Sequence, residues 1–127
     1  MRRVFKTRYF YRWMRKTELT DQSLCDAIVE MERGLIDADL GGGVIKKRIA
    51  MAGRGKSGGA RTLIATNRGD RWFFVYGFAK NDRANISTKE LEALRLYAAD
   101  LLRLSVAQLD AQAIGEQLQE ICVGERP

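Results

Sequence analysis

The chain has 127 residues, 22 of them Lys or Arg and 16 Asp or Glu, for a formal net charge of +6, and it contains no histidine. That length fits one domain, and a hydrophobic share of 46% is enough for a core. The missing histidine excludes Ser-His and Cys-His nucleophile schemes; with no CxxC spacing, the common zinc sites are excluded too, and no metal or cofactor is expected.

Met1 to Lys6 reads as a short edge strand. Thr7 can cap a helix in which Phe10, Trp13 and Met14 recur at helical spacing, with Arg8, Arg12, Arg15 and Lys16 on the other face. Thr20 reads as the next N-cap, with Asp21 in the first turn, Leu24, Ala27, Ile28 and Met31 as the apolar stripe, and Gly34 as the stop. Together these predict an N-terminal helical hairpin. Residues 36–43 are turn-rich. From Val44 the pattern alternates, with Lys46, Arg48 and Ala50 on one side and Ile45, Lys47 and Ile49 on the other. Residues 53–59 read as a glycine-rich loop, residues 61–66 as a strand and residues 67–70 as a turn. Arg71 to Ala79 is a run of apolar residues, which predicts a central strand covered on both faces. Ser87 and Glu90 form a capping box for a helix through Leu91, Leu94, Tyr97, Ala98, Leu101 and Leu102. Ser105 and Gln108 resemble a second box, for a helix running to about Leu118. The expected class is α+β, with helices on one face of a small, mainly antiparallel sheet.

Cys25 and Cys122 each sit in an apolar helical pattern and are expected as buried thiols. A disulfide is disfavoured, because no apolar run approaches the ~18 residues of a membrane span and the basic N-terminus lacks a signal-peptide core, so a cytoplasmic location is expected.

Charge is segregated along the chain. Residues 1–16 carry +7, 17–45 carry −6, 46–83 carry +8 and 84–127 carry −3. Two basic blocks divided by an acidic helix point to a polyanionic partner. Gly55-Lys56-Ser57 is not a nucleotide-binding P-loop, since Ala50 stands where that motif needs glycine and a strand rather than a helix follows. The better reading is a glycine-rich turn that gathers cations: Lys46, Arg48, Arg54, Lys56 and Arg61, with Lys80 and Arg83 joining from the end of the third strand. Arginine binds phosphate bidentately and lysine as a point charge, so RNA is the expected ligand.

Lys46-Lys47-Arg48, the run from Gly53 to Arg61, and Tyr76-Gly77-Phe78-Ala79-Lys80-Asn81 together resemble the RelE/HigB group of type II toxin–antitoxin toxins; Met31 to Gly34 and Asp37 to Gly43 resemble one HigB-like branch. The resemblance covers roughly residues 4–103, with 104–127 as a C-terminal helical extension of the same domain. It implies a RelE-like sheet and a ribosome-dependent mRNA endonuclease that cleaves by 2′-hydroxyl attack on the adjacent phosphate. Carried onto this chain, it implies catalytic roles for Lys46, Lys56, Arg61 and Lys80. Lys46 or Lys56 would serve as base, Arg61 would stabilise the phosphorane, and Lys80 or Arg83 would assist the leaving oxygen. Arg48, Arg54, Arg83 and Asn81 would bind RNA. Ala60 stands where many relatives carry an aromatic, and Tyr97 is the one candidate for the acid–base tyrosine expected near the end of the fold. The implied partners are the ribosome, mRNA and a small helix-turn-helix antitoxin. Two other functions fit the same residues: a nonenzymatic module that holds RNA or ribosome, and a ParE-like toxin that poisons gyrase.

Overall fold

The computed structural model describes residues 1–51 and 55–124, with the backbone alone at 55–57. In chain order the elements are β1 (Arg3–Thr7), α1 (Arg8–Met14), α2 (Asp21–Glu32), β2 (Ala38–Gly41), β3 (Val44–Met51), β4 (Gly55–Thr66), β5 (Arg71–Ala79), α3 (Thr88–Leu102), α4 (Val106–Ile114) and β6 (Leu118–Ile121). The strands form one open sheet in the order β2-β3-β4-β5-β1-β6. Neighbours are antiparallel except β1, which runs parallel to β5. Among the described residues no helix is long and apolar enough to cross a membrane.

Helix starts follow local chemistry. Thr7, Thr20, Ser87 and Ser105 each accept a hydrogen bond from the amide three residues on, which satisfies a donor that the first turn leaves open. Gly41, Gly42 and Gly43 all have positive φ, the conformation that turns β2 back onto β3. Arg95 of α3 reaches across and donates to the Leu40 carbonyl, holding this turn against the body.

Several sequence expectations are corrected. The first strand is internal rather than at an edge, because β6 returns from the C-terminus and pairs with it. The final helix stops at Ile114. The helices do not share one face: one core lies under α1 and α2 and the other under α3 and α4. The physical reason is that β4 and β5 are apolar on both sides. Ile64, Trp72 and Phe74 enter the first core, while Leu63, Ala65, Phe73 and Val75 enter the second. The two N-terminal helices follow β1 and rest on the sheet, α1 on β5 and α2 on β3. The glycine-rich stretch is strand from Gly55 onward, with Met51 opposite Gly55. A Cβ at Gly59 would collide with the Ile49 carbonyl, so glycine there lets the two backbones pair closely.

The cysteines are also corrected. Cys25, in the middle of α2, is disulfide-bonded to Cys122, just after β6, with 5.6 Å between Cα atoms and 97 residues between them in sequence. Without β6, nothing in the local pattern brings the chain end to α2. A crosslink of this span removes about 4–5 kcal/mol of unfolded-chain entropy in the loop-closure picture.

The acidic block proves to be structural. Lys47 is 3% exposed; its ammonium sits 2.7 Å from Glu30 and donates to the Leu35 carbonyl at 2.8 Å. Lys6, also 3% exposed, meets Asp21 at 2.7 Å. Arg2 pairs with Glu32 at 3.0 Å, without hydrogen-bond alignment. The carboxylates of α2 thus neutralise cations that the sheet buries beneath it, as a buried charge requires.

Two outcomes are expected. Replacing both cysteines by alanine lowers the unfolding free energy by ~2–5 kcal/mol, measured by urea titration, and adding reductant to the native chain reproduces that loss. A Cβ at Gly77 runs into the Trp13 ring, so Gly77→Ala costs ~1–3 kcal/mol in the same titration; an unchanged midpoint would show that Trp13 moves aside freely.

Candidate functional site

Side chains alternate along β3, and Lys46 and Arg48 fall on the opposite side from Ile45, Lys47 and Ile49. Cross-strand pairing extends these positions into two rows. Lys46 stands opposite Leu63, which stands opposite Tyr76; Arg48 stands opposite Arg61, which stands opposite Phe78. Both rows lie on the side of the sheet that carries α3.

The second and third members of each row share that side because of an irregularity in β5. The β4–β5 register shifts between Leu63 and Ile64, so Phe74 is opposite Ile64 and Tyr76 is opposite Leu63. Val75 is the extra residue. An uninterrupted strand would send Tyr76 to the α1 side; the bulge turns Tyr76 and Phe78 toward the cations instead. The aromatic run 72–78 gave no sign of this shift, because period-two alternation is invisible where every residue is apolar.

The expected site residues fare differently. Lys46 is half-buried in the first row, and Arg61 is half-buried in the second. Arg48 is held by Asp37, with its amide at 2.6 Å and its Nε at 2.8 Å from the two carboxylate oxygens. Burial works against ionisation of Asp37, but these hydrogen bonds and the nearby charges prevail and hold its pKa below the ordinary value. The pairing also relieves the repulsion of two arginines directly opposite each other. Lys80 and Asn81 are exposed immediately after β5. Arg54 lies outside the described residues, as does the Lys56 side chain.

Arg83 is not a free phosphate ligand. It forks onto Glu90, with Nη1 at 2.9 Å from Oε2 and Nη2 at 2.5 Å from Oε1, and its Nε donates to the Asn85 carbonyl at 2.9 Å. The Arg83 hydrogen bond, joined by the Ser87 amide, pulls the Glu90 pKa down to about 2. Glu90 therefore does two jobs: it closes the capping box of α3 and anchors the segment after β5.

Tyr76, which the sequence left without a role, lies on this same face beside the cations. Its hydroxyl accepts from Arg83 Nη1 at 3.1 Å and donates to Glu90 Oε2 at 3.2 Å. Burial, and then the Glu90 charge, push its pKa up, so it stays a proton-bearing group at neutral pH. Its ring stacks on Tyr9 at 5.6 Å and lies 6.2 Å from Phe78, while the Arg83 guanidinium sits 5.7 Å from the Phe78 ring. Tyr97 lies on α3, is 40% exposed and belongs to neither core. Ala60 is fully buried in the α1–α2 core, pointing away from the basic rows.

The arrangement is a basic strip on β3 and β4, bordered on β5 by an aromatic wall whose one hydroxyl is fixed by an arginine–carboxylate pair. The strip is chemically suited to an anionic ligand, while the Tyr76 hydroxyl is engaged by Arg83 and Glu90. No curated protein matches the chain. A family model described as the RelE toxin of the RelE/RelB toxin–antitoxin system matches residues 2–121, which takes in β6 as well as the basic strip. The chain belongs to the RelE toxin family.

Proposed function

We propose that this toxin is a ribosome-dependent mRNA endonuclease working in the cytoplasm. A toxin of this family has a cognate antitoxin; the reading adds that this partner is a small helix-turn-helix protein. The observation that carries the proposal is the register that sets Lys46 and Arg61 in adjacent rows of one sheet face, with Lys80 and Asn81 at the end of the neighbouring strand.

Cleavage forms a bond from the 2′-oxygen to phosphorus and breaks the bond from phosphorus to the 5′-oxygen. The 2′-hydroxyl proton goes to Lys46 or Lys56 as base. Arg61 faces the negative charge that grows on the phosphorane, where a fixed guanidinium is worth most. Lys80 supplies a proton or positive charge to the departing 5′-oxygen. Arg54 and Asn81 hold RNA. Arg48 and Arg83 contribute what their carboxylate partners leave uncompensated.

That sharing favours one second reading. With Arg48 and Arg83 each committed to a carboxylate, the face also suits a module that holds RNA on the ribosome without cutting it.

Arg61→Ala is expected to reduce cleavage by ~10²–10³-fold, with the thermal midpoint unchanged. Primer extension on translated mRNA after induction reads this directly, and undiminished cuts would remove Arg61 from the mechanism. If native toxin arrests ribosomes and no discrete cuts appear, the binding reading replaces the enzymatic one. A pH experiment tests the anchor. The Glu90 carboxylate ionises at about 2 rather than its ordinary 4.5, so its stabilising effect is complete above the ordinary value and is lost as acid approaches the lower one. Glu90→Gln is therefore expected to show a shallower loss of stability across that acid window than the native chain; parallel curves would mean that Arg83 gains nothing from the charge.

A further inference from the structure

A second basic feature lies at the other end of the sheet from Lys46 and Arg61. A concavity of about 430 Å³ opens between α1 and the β1–β6 pair, with Arg8, Arg12 and Arg15 on one side and Glu116, Gln119 and Glu120 on the other. Arg8 and Arg12 on α1 and Arg15 at its C-cap follow one another at helical spacing over about 10 Å.

Partners distinguish two of these residues from most of the described arginines. Most arginines of the described chain end on a carboxylate or a carbonyl: Arg3 on Glu120 and Asp110, Arg48 on Asp37, Arg68 on Asp39, Arg71 on Leu104, Arg83 on Glu90, Arg95 on Leu40 and Arg103 on Asp100. Arg12 and Arg15 have neither a hydrogen-bond acceptor nor an ion-pair partner for their side chains among the described residues. Arg15 is steadied by the Tyr11 ring, 5.7 Å from its guanidinium carbon. The Lys6 ammonium supports the same ring at 5.0 Å from beneath, already neutralised by Asp21. Arg8 rests on the Gly115 and Glu116 carbonyls at 3.3 Å. The result is two guanidinium groups at one concavity that no acceptor among the described residues shares, one of them resting on the Tyr11 ring.

The opposite wall selects among anions. Glu120 is occupied by Arg3, but Glu116 and Gln119 remain as acceptors facing the same space. A carboxylate-rich peptide would meet Glu116 with few donors to offer. A ribonucleotide brings phosphate oxygens for the arginines, and also ribose hydroxyls and base amino groups for the acceptors.

We propose that this concavity binds the phosphodiester backbone of a second RNA segment, separate from the strand presented to Lys46 and Arg61. It rests on the reading of the chain as an RNA-directed toxin, but not on cleavage. In the ribosome such a contact would orient the toxin while the other end of the sheet engages mRNA.

The test uses the full chain and a short 2′-O-methyl oligoadenylate, which lacks the hydroxyl needed for cleavage and keeps the base amino groups that the acceptors would meet. Binding is measured by fluorescence anisotropy across a salt series. The Arg12→Ala/Arg15→Ala double variant is expected to bind about tenfold more weakly, with the salt slope shallower by about 1.4, the equivalent of two lost single-strand phosphate contacts. Lys89→Ala/Arg103→Ala, which removes the same charge from α3, is expected to bind like the native chain. The proposal is overturned if the first variant keeps native affinity and slope, if the α3 variant loses as much, or if polyglutamate displaces the RNA from the native chain but not from the first variant. Cleavage on programmed ribosomes is scored separately. A native chain that binds but never cuts removes the endonuclease reading and leaves this site standing.

Discussion

The structure hangs on a strand that cannot face water on either side. β5 places Trp72 and Phe74 under one pair of helices and Phe73 and Val75 under the other, and all four are essentially buried. Such a strand needs a neighbour on each edge as well, or its backbone groups stay unsatisfied. β4 takes one edge and β1 the other. The parallel β1–β5 pair brings the N-terminus into the middle of the sheet, and its far edge then needs β6. The bulge at Val75 also depends on this confinement: with the strand locked between partners, one extra residue must be absorbed locally, and its effect is to aim Tyr76 and Phe78 at the cations.

Charge is sorted by the same geometry. Lys46 and Lys47 are adjacent in sequence, but alternation sends one toward a candidate site and buries the other against Glu30. The buried cations explain why the segment forming α2 is so acidic: Asp21, Glu30 and Glu32 meet ammonium or guanidinium groups from the sheet and the N-terminus. Among the described residues, Lys46 on β3 and Arg12 and Arg15 at α1 are cations that keep no carboxylate partner. A basic block in the sequence therefore overstates the available charge, since Lys47 and Lys6 are spent internally and Arg48 and Arg83 are shared.

The C-terminal segment is integral to this arrangement rather than appended to it. β6 completes the sheet, supplies one wall of the α1 concavity, and ends one residue before the cysteine that binds α2. One short strand thus links the first helix pair, the central sheet and the chain end. A match of the family model as far as residue 121 accords with that role.

Much of this was written locally. The four helix starts follow from hydroxyl-bearing residues that cap their own helices, the split of β3 into two faces follows from alternation, and the centrality of β5 follows from its unbroken apolar run. The RelE resemblance rested on short motifs, which the family match supports. Other features had no local signature. Four residues of β6 are too few to announce a strand, the disulfide joins positions 97 residues apart, and the bulge sits in a run with no polar residue to mark its phase. Arg48 and Arg83 illustrate the same limit at the site. The sequence by itself determined which side chains are cationic and which face of a strand each one takes, because both are properties of a few neighbouring residues. Which cations stay available to a phosphate was decided only by the tertiary structure, because that depends on where distant carboxylates such as Asp37 and Glu30 come to rest.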